Sequence, residues 1–196
     1  MKLFNGPTSP FGRKVRVAAL ELEIPLEQET IAVTSAEFLD ALNPLRQIPT
    51  LLLDDGTPIY DSDVITAYLA TLSSKHDLYP DARRWGVLTR LSLANGLMEA
   101  VLQRFMEISR PEDERSPAFI ARLEARIGRC ARHFETLMAE IAGRPLAMDQ
   151  IGLGCALEYM EFRYNDRWRS ECPGLVAWLR DFGERPSMRE TRPPPA

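Results

Sequence analysis

Hydrophobic positions change their spacing about 75 residues into the chain. Before that point, short apolar runs alternate with helical patterns. Residues 1–4 read as a strand, ended by Asn5-Gly6-Pro7. Residues 13–22 carry Val15, Val17, Ala18, Ala19 and Leu22 at a helix-like spacing. Residues 27–33 alternate as a strand does, and 36–42 predict a short helix closed by Asn43-Pro44. Residues 50–53 and 58–60 flank Asp54-Asp55-Gly56-Thr57, which predicts a hairpin. Residues 62–72 then align Val64, Ile65, Tyr68, Leu69 and Leu72 on one helix face. The order is βαβαββα, a small α/β unit whose first two strands run parallel because a helix joins them.

The polar stretch Ser73-Ser74-Lys75-His76-Asp77 reads as the start of a linker, and no strand pattern follows it. Residues 83–108 form one long amphipathic helix, broken by the charged, proline-flanked segment 110–117. Helices are expected over 118–141, 150–164 and 175–182. The tail Arg192-Pro193-Pro194-Pro195-Ala196 predicts an extended surface segment. The organisation expected is therefore an α/β domain over 1–75, a linker over 76–81, and an all-helical domain with a Pro-rich tail over 82–196.

Composition narrows the function classes. The 196 residues, 45% hydrophobic and 27% charged, suit one or two globular domains. Twenty-four basic against 28 acidic side chains, a net charge of -4, argue against a general nucleic-acid or anionic-membrane binder. The acidic excess lies in the first 75 residues, with six basic and ten acidic groups. Cys130, Cys155 and Cys172 are an odd number without CxxC spacing, as expected of thiols in a reducing cytoplasm. Gly6, Pro7 and Pro10 interrupt the N-terminus before a signal-peptide core forms, and no apolar run approaches the ~20 residues of a membrane span. His76 and His133 are the only histidines, and neither joins ligands at metal-site spacing, so no metal is expected.

Three short segments carry candidate chemistry. Thr8-Ser9-Pro10-Phe11 opens the first helix, Asn43 to Leu51 brings Pro49 into the third strand, and Tyr60-Asp61-Ser62-Asp63-Val64-Ile65 opens the helix after the hairpin. Each has a purely structural reading. Ser9 and Pro10 suit N-cap and first helical position, Pro49 suits an edge strand, and Asp61 and Ser62 are good caps. The run Arg13-Lys14-Val15-Arg16 reads as a solvated helix face.

Taken together and in order, the three segments resemble the cytosolic glutathione S-transferase family. Ser9 and Gly12 stand where the glutaredoxin pattern Cys-Pro-Phe/Tyr-Cys has its cysteines. The similarity extends over essentially the whole chain and is strong to bacterial members that begin TSPF-R-K. It implies a thioredoxin-like N-terminal domain, a helical C-terminal domain, and glutathione as co-substrate. It implies that Ser9 is the catalytic group, donating its hydroxyl to the glutathione thiolate, with Phe11 beside it. It implies a cis bond before Pro49 that presents the backbone of Ile48 to the cysteinyl part of the ligand. Asp61 and Ser62 would hold the γ-glutamyl ammonium and carboxylate. Gln47 replaces a common basic residue for the glycine carboxylate, a role that Arg46 or Arg13 could assume. Met98, Leu102, Phe105, Met106 and Phe162, with Val101, would wall an electrophile site, although a Met-rich helix face also suits plain core.

The resemblance further implies a homodimer with Asp61 and Ser62 beside its axis, near Asn95 or Glu99 of the partner subunit. The activity implied is addition of glutathione to small apolar electrophiles, or reduction of peroxides with it. A glutathione-binding or protein-interaction module without turnover is the competing reading. Many family members cap the helix before the Gly-Cys-Ala-Leu stretch with a Ser/Thr and Asp pair. Ala147 and Gln150 stand there instead, so that capping box is expected to be absent and Asp149 to cap.

Overall fold

The computed structural model describes residues 1–165 and 167–194, which divide into two compact units. The first comprises Met1–Ala82 together with the segment that begins at Pro186, and the second Arg83–Arg185. The sequence placed that final segment with the helical half. The structure instead packs helix α9 (Pro186–Glu190) on helix α1 (Pro10–Glu21).

Four strands build the sheet of the first unit: β1 (Lys2–Asn5), β2 (Glu27–Thr30), β3 (Thr50–Leu52) and β4 (Pro58–Ile59), in the order β2-β1-β3-β4. β1 pairs parallel to β2, with Leu3 opposite Gln28, and antiparallel to β3, with Leu3 opposite Leu51. The parallel pair follows from the α1 crossover, and the β3–β4 hairpin from Asp54 to Thr57. Leu3 and Leu51, both fully buried, turn one face of this sheet toward the core. The helix α2 (Ser62–Thr71) completes the unit and packs against α1. This is the thioredoxin-like arrangement expected. One element differs: residues 36–42 form no α-helix but hold a 3-10 turn, Glu37–Ala41, which follows another at Val33–Ser35. Ala36, between them, has φ -95 and ψ 65, outside the helical range, so the α-helical hydrogen-bond ladder cannot run through it.

The regular elements of the second unit are all helices among its described residues. α3 (Arg84–Ile108) buries Val87, Leu91, Ala94, Leu97, Met98 and Val101 where it packs on its helical neighbours, among them α6 (Met148–Arg163), which is buried over most of its length and whose Gly152 lies against Leu91 and Ala94. The three- and four-residue intervals make this the continuous apolar stripe of a core helix. Met98 and Val101 are therefore core, fully buried, and not the ligand wall the sequence suggested. The helix expected over 118–141 is split at Leu137 into α4 (Pro117–Thr136) and α5 (Met138–Ile141). α7 (Trp168–Glu171) and α9 are short helices without a periodic signature. α8 (Pro173–Phe182) starts where the Glu135 carboxylate accepts the N–H groups of Gly174 and Leu175, each at 2.8 Å, a cap supplied from α4.

The start of α6 also differs from expectation. Ala147 has no side-chain acceptor, yet Gln150 retains its half of the capping box, its Oε1 accepting the Ala147 N–H at 2.8 Å. Asp149, expected to cap, is buried and accepts from Arg90 at 2.6 Å and from Arg144, tying α3 to the segment before α6. Arg192, Pro193 and Pro194 have no regular structure; Pro195 and Ala196 of the expected tail lie outside the described residues.

Candidate glutathione site

Ser9 ends an extended segment and caps α1, whose first residue is Pro10. The Gly12 N–H donates to Ser9 Oγ at 3.1 Å, satisfying one of the orphan donors of the first turn. This contact uses an acceptor lone pair of the hydroxyl. Its hydrogen has no acceptor among the described residues, so capping and donation to a ligand are compatible rather than exclusive. Gly12 is not simply a missing cysteine. A Cβ at this position would lie 1.6 Å from Oδ1 of Asn5, whose buried amide occupies that space.

The second segment is held from below. Asn43 is buried and donates to Gln47 O and to Thr50 Oγ1, both at 3.0 Å, while Thr50 Oγ1 donates to Gln47 O at 2.9 Å. These bonds fix the loop that carries Gln47, Ile48 and Pro49. The Ile48–Pro49 bond is cis. The Ile48 side chain packs on the cluster of Phe4, Ala36 and Leu39, and Gly6 makes room for it, since a Cβ there would approach Ile48 Cδ1 to 2.8 Å. Its backbone N–H and C=O have no partner among the described residues. Neither Asn43 nor Thr50 was singled out from sequence, although an Asn before Pro44 is a turn signal.

Asp61 caps α2: its Oδ1 accepts the N–H groups of Asp63 and Val64 at 3.0 and 3.4 Å. Ser62 follows as the first helical residue and is buried. Two acceptors and a helix N-terminus thus share one turn, an arrangement suited to a zwitterionic head with one cation and one carboxylate.

The basic residues near these segments are not where the sequence put them. Lys14 is fully buried and pairs with Asp63, with Phe11 6.0 Å from its Nζ. Arg13 is buried and donates to Met188 O at 3.0 Å and Thr191 Oγ1 at 3.3 Å, joining α1 to α9. Burial, and then the Arg13 charge, hold the Arg16 guanidinium below its ordinary value. The expected solvated face is thus largely internal: Lys14 pairs with Asp63 on α2, and Arg13 bonds to Met188 on α9 and to Thr191 just beyond it. Arg46 pairs with Asp40, which raises its own pKa and lowers that of the carboxyl. Arg13 and Arg46 are therefore both engaged, whereas the Gln47 side chain is exposed.

Among the electrophile candidates of the second unit, Leu102, Phe105 and Phe162 are half-buried and Met106 is 61% exposed. The structure brings Phe105 and Phe162 together around a residue the sequence did not flag: the Arg163 guanidinium carbon lies 4.3 Å from one ring centroid and 3.9 Å from the other. Among the described residues, no group of three His, Cys, Asp or Glu side chains could hold a metal ion, and no helix is long and apolar enough to cross a membrane.

Comparison with known proteins gives these geometries a family. Residues 8–72 match the glutathione S-transferase N-terminal domain. A glutathione transferase family member from Pseudomonas fluorescens, solved with bound glutathione, is 34% identical over 98% of each chain with a TM-score of 0.91. A glutathione S-transferase from Methylobacillus flagellatus, also with glutathione bound, is 30% identical over 98% of this chain and 99% of its own, at 0.94. The uncharacterized GST-like protein YibF of Escherichia coli is 27% identical over the full length of both. The chain belongs to the glutathione S-transferase family.

Proposed function

We propose that this protein is a glutathione transferase that holds the thiol of glutathione as a thiolate beside Ser9 and transfers it to small, largely apolar electrophiles. The observation that carries the reading is the Ser9 hydroxyl at the N-terminus of α1, fixed by its bond from Gly12 and with its hydrogen uncommitted among the described residues. A free thiol has a pKa of about 8.5 and is mostly protonated at neutral pH. Donation from Ser9, with the positive end of the helix, favours the charged form. The sulfur then attacks without a general base.

The rest of the tripeptide has a partner at each polar end. The Ile48 backbone offers one donor and one acceptor to the cysteinyl unit, as an added strand would meet it. Asp61 receives the ammonium, Ser62 and the α2 N-terminus the γ-glutamyl carboxylate, and Gln47 the glycine carboxylate. A third structure, 33% identical, holds S-(propanoic acid)-glutathione, a thioether of the type such a transfer makes.

We place the protein in a reducing cytoplasm, where its three buried free cysteines remain thiols. We assign it a homodimeric state, supported by apolar side chains left exposed on single elements: Val64 on α2, and on α3 Trp85, at 79%. Light scattering at micromolar concentration is expected to give twice the chain mass. The activity is tested by retention on immobilised glutathione, followed by conjugation of 1-chloro-2,4-dinitrobenzene. Retention without turnover across a panel of electrophiles would assign the chain to glutathione binding alone.

A further inference from the structure

Gly12 stands in the first turn of α1, although glycine is, after proline, the poorest helix former. What lies beneath it explains its place. A Cβ on Gly12 would stand 1.6 Å from Oδ1 of Asn5 and 2.8 Å from Nδ2, so the Asn5 amide fills the space that a side chain would need. Asn5 is buried and closes β1, where its C=O accepts the Ile31 N–H at 2.9 Å. The amide is therefore carried by the sheet, and α1 rests on it through a glycine.

The same turn carries the Ser9 hydroxyl. The Gly12 N–H donates to Ser9 Oγ at 3.1 Å and the Arg13 N–H to Ser9 O at 3.0 Å. The Ser9 N–H reaches back to Gly6 O at 3.2 Å. Ser9 is thus tied on both sides to the Asn5–Gly12 contact, since Gly6 follows Asn5 in the chain and Gly12 lies on its amide. Accepting the Gly12 bond fixes the hydroxyl oxygen and leaves its own hydrogen to be directed elsewhere. A donor serves an anion best when it is held in place beforehand, and a displacement of about 1 Å can cost on the order of a hundredfold in rate.

We infer that Asn5 is a positioning residue for Ser9. Its amide, carried by β1 and seated against Gly12, sets the height of the first turn of α1 above the sheet and so holds the hydroxyl where it donates to the glutathione sulfur. This rests on the transferase reading above, in which Ser9 makes that donation. Asn5 acts by its shape, through Gly12, and not by touching the ligand. The pair is reciprocal: a side chain at position 12 displaces the turn while Asn5 stands beneath it, and shortening Asn5 removes the seat.

The test uses the full chain with glutathione and 1-chloro-2,4-dinitrobenzene, and reads the pKa of the bound thiol from thiolate absorbance as well as from the pH–rate profile. Asn5→Ala is expected to raise that pKa by about half a unit to one unit and to lower kcat at neutral pH roughly threefold to tenfold, part of what a whole charge-assisted bond is worth, with KM for glutathione within about twofold. Gly12→Ala should act alike through the opposite fault, a turn pushed off its seat. In Asn5→Ala combined with Gly12→Ala the new methyl enters the vacated space, and the pKa should return toward the wild-type value. Should Gly12→Ala alone fail to fold, folding of the double variant is that rescue. A thiol pKa unchanged in Asn5→Ala while the melting temperature falls gives Asn5 a structural role only and overturns the inference. So does a double variant no better than Gly12→Ala. A second arm needs no glutathione: the Gly12 amide proton, followed by NMR, should lose its hydrogen-bonded shift and exchange faster in Asn5→Ala. If the wild type binds glutathione without turnover, the transferase reading fails alone and the bound-thiol pKa still decides the role of Asn5. If it binds none, the Gly12 amide decides it, and an amide unchanged in Asn5→Ala refutes the inference.

Discussion

Lys14 of α1 and Asp63 of α2 form an ion pair in which the ammonium is fully buried and the carboxylate side chain remains 38% exposed. The pair ties the helix that Ser9 opens to the turn that holds Asp61 and Ser62. It thereby links the thiol end of the candidate site to its γ-glutamyl end. Its two halves differ in energy because only one of them has lost its water.

That asymmetry predicts unequal mutants. Asp63→Asn removes the carboxylate from an ammonium that cannot reach solvent, and should cost about 3–5 kcal/mol. Lys14→Met fills the same volume with an apolar side chain and leaves a carboxylate that water can solvate. It should cost less, about 1 kcal/mol. Urea unfolding of both variants checks the order. Equal losses would mean that the pair behaves as a surface contact.

The Ser9 assignment is tested by separating its two hydrogen bonds. Ser9→Ala removes the cap, at about 0.5–2 kcal/mol of stability, and the donor to the thiolate together. Ser9→Gly gives up the donor but, as Gly caps nearly as well, only a few tenths. If donation lowers the bound thiol pKa by about one to two units, both variants should raise it by that amount and slow conjugation at neutral pH by roughly ten- to a hundredfold. Glutathione affinity should change far less. A pH–rate profile with thermal melts distinguishes the roles: a rate that follows stability and not the thiol pKa reduces Ser9 to a cap.

The polypeptide reveals its local periodicities and conceals its long-range partners. The parallel β1–β2 pair, the hairpin around Asp55-Gly56 and the stripe on α3 are legible because each depends on neighbours within a turn or a strand. Lys14 is not, because the acid that lets it be buried stands 49 positions away. Arg13 is hidden for the same reason, as its acceptors lie on and just after α9, a segment of five residues with no periodic signal. At the candidate site, Ser9, Asp61 and the Ile48–Pro49 dipeptide are readable as motifs. The supports of that dipeptide, Asn43 and Thr50, and the clamp on Arg163 exist only once distant elements meet.

Asp61 offers a test of the γ-glutamyl end. One of its oxygens is used in capping by Asp63 and Val64 N–H, and an amide oxygen can replace it there. Asp61→Asn should therefore keep α2 intact while removing the charge proposed to meet the ligand ammonium. Glutathione affinity measured by calorimetry should fall by about 1–3 kcal/mol with the melting temperature nearly unchanged. Unchanged affinity would take Asp61 out of the site.

The last prediction concerns pH and the cysteines. Burial pushes the thiols of Cys130 and Cys172 above their ordinary value, with Glu135 and Glu171 adding to the effect at Cys172 and Arg126 and Arg129 opposing it at Cys130. The sign follows from proton counting. Below the unfolded thiol value of about 8.5, both states hold the proton and stability does not depend on these groups. Above it, the unfolded chain releases protons that the folded chain still holds, so stability falls as pH rises toward the folded values. Urea midpoints measured from pH 7 to 10 should decline, and Cys130→Ala with Cys172→Ala should flatten the upper part of that decline relative to wild type. The same burial makes the thiols poor nucleophiles in the native state, since only the thiolate reacts. Native protein should label slowly with a disulfide reagent at pH 8 and rapidly in urea. Rapid labelling of either cysteine in the native protein would show that its thiol is open to solvent and would remove it from the pH argument.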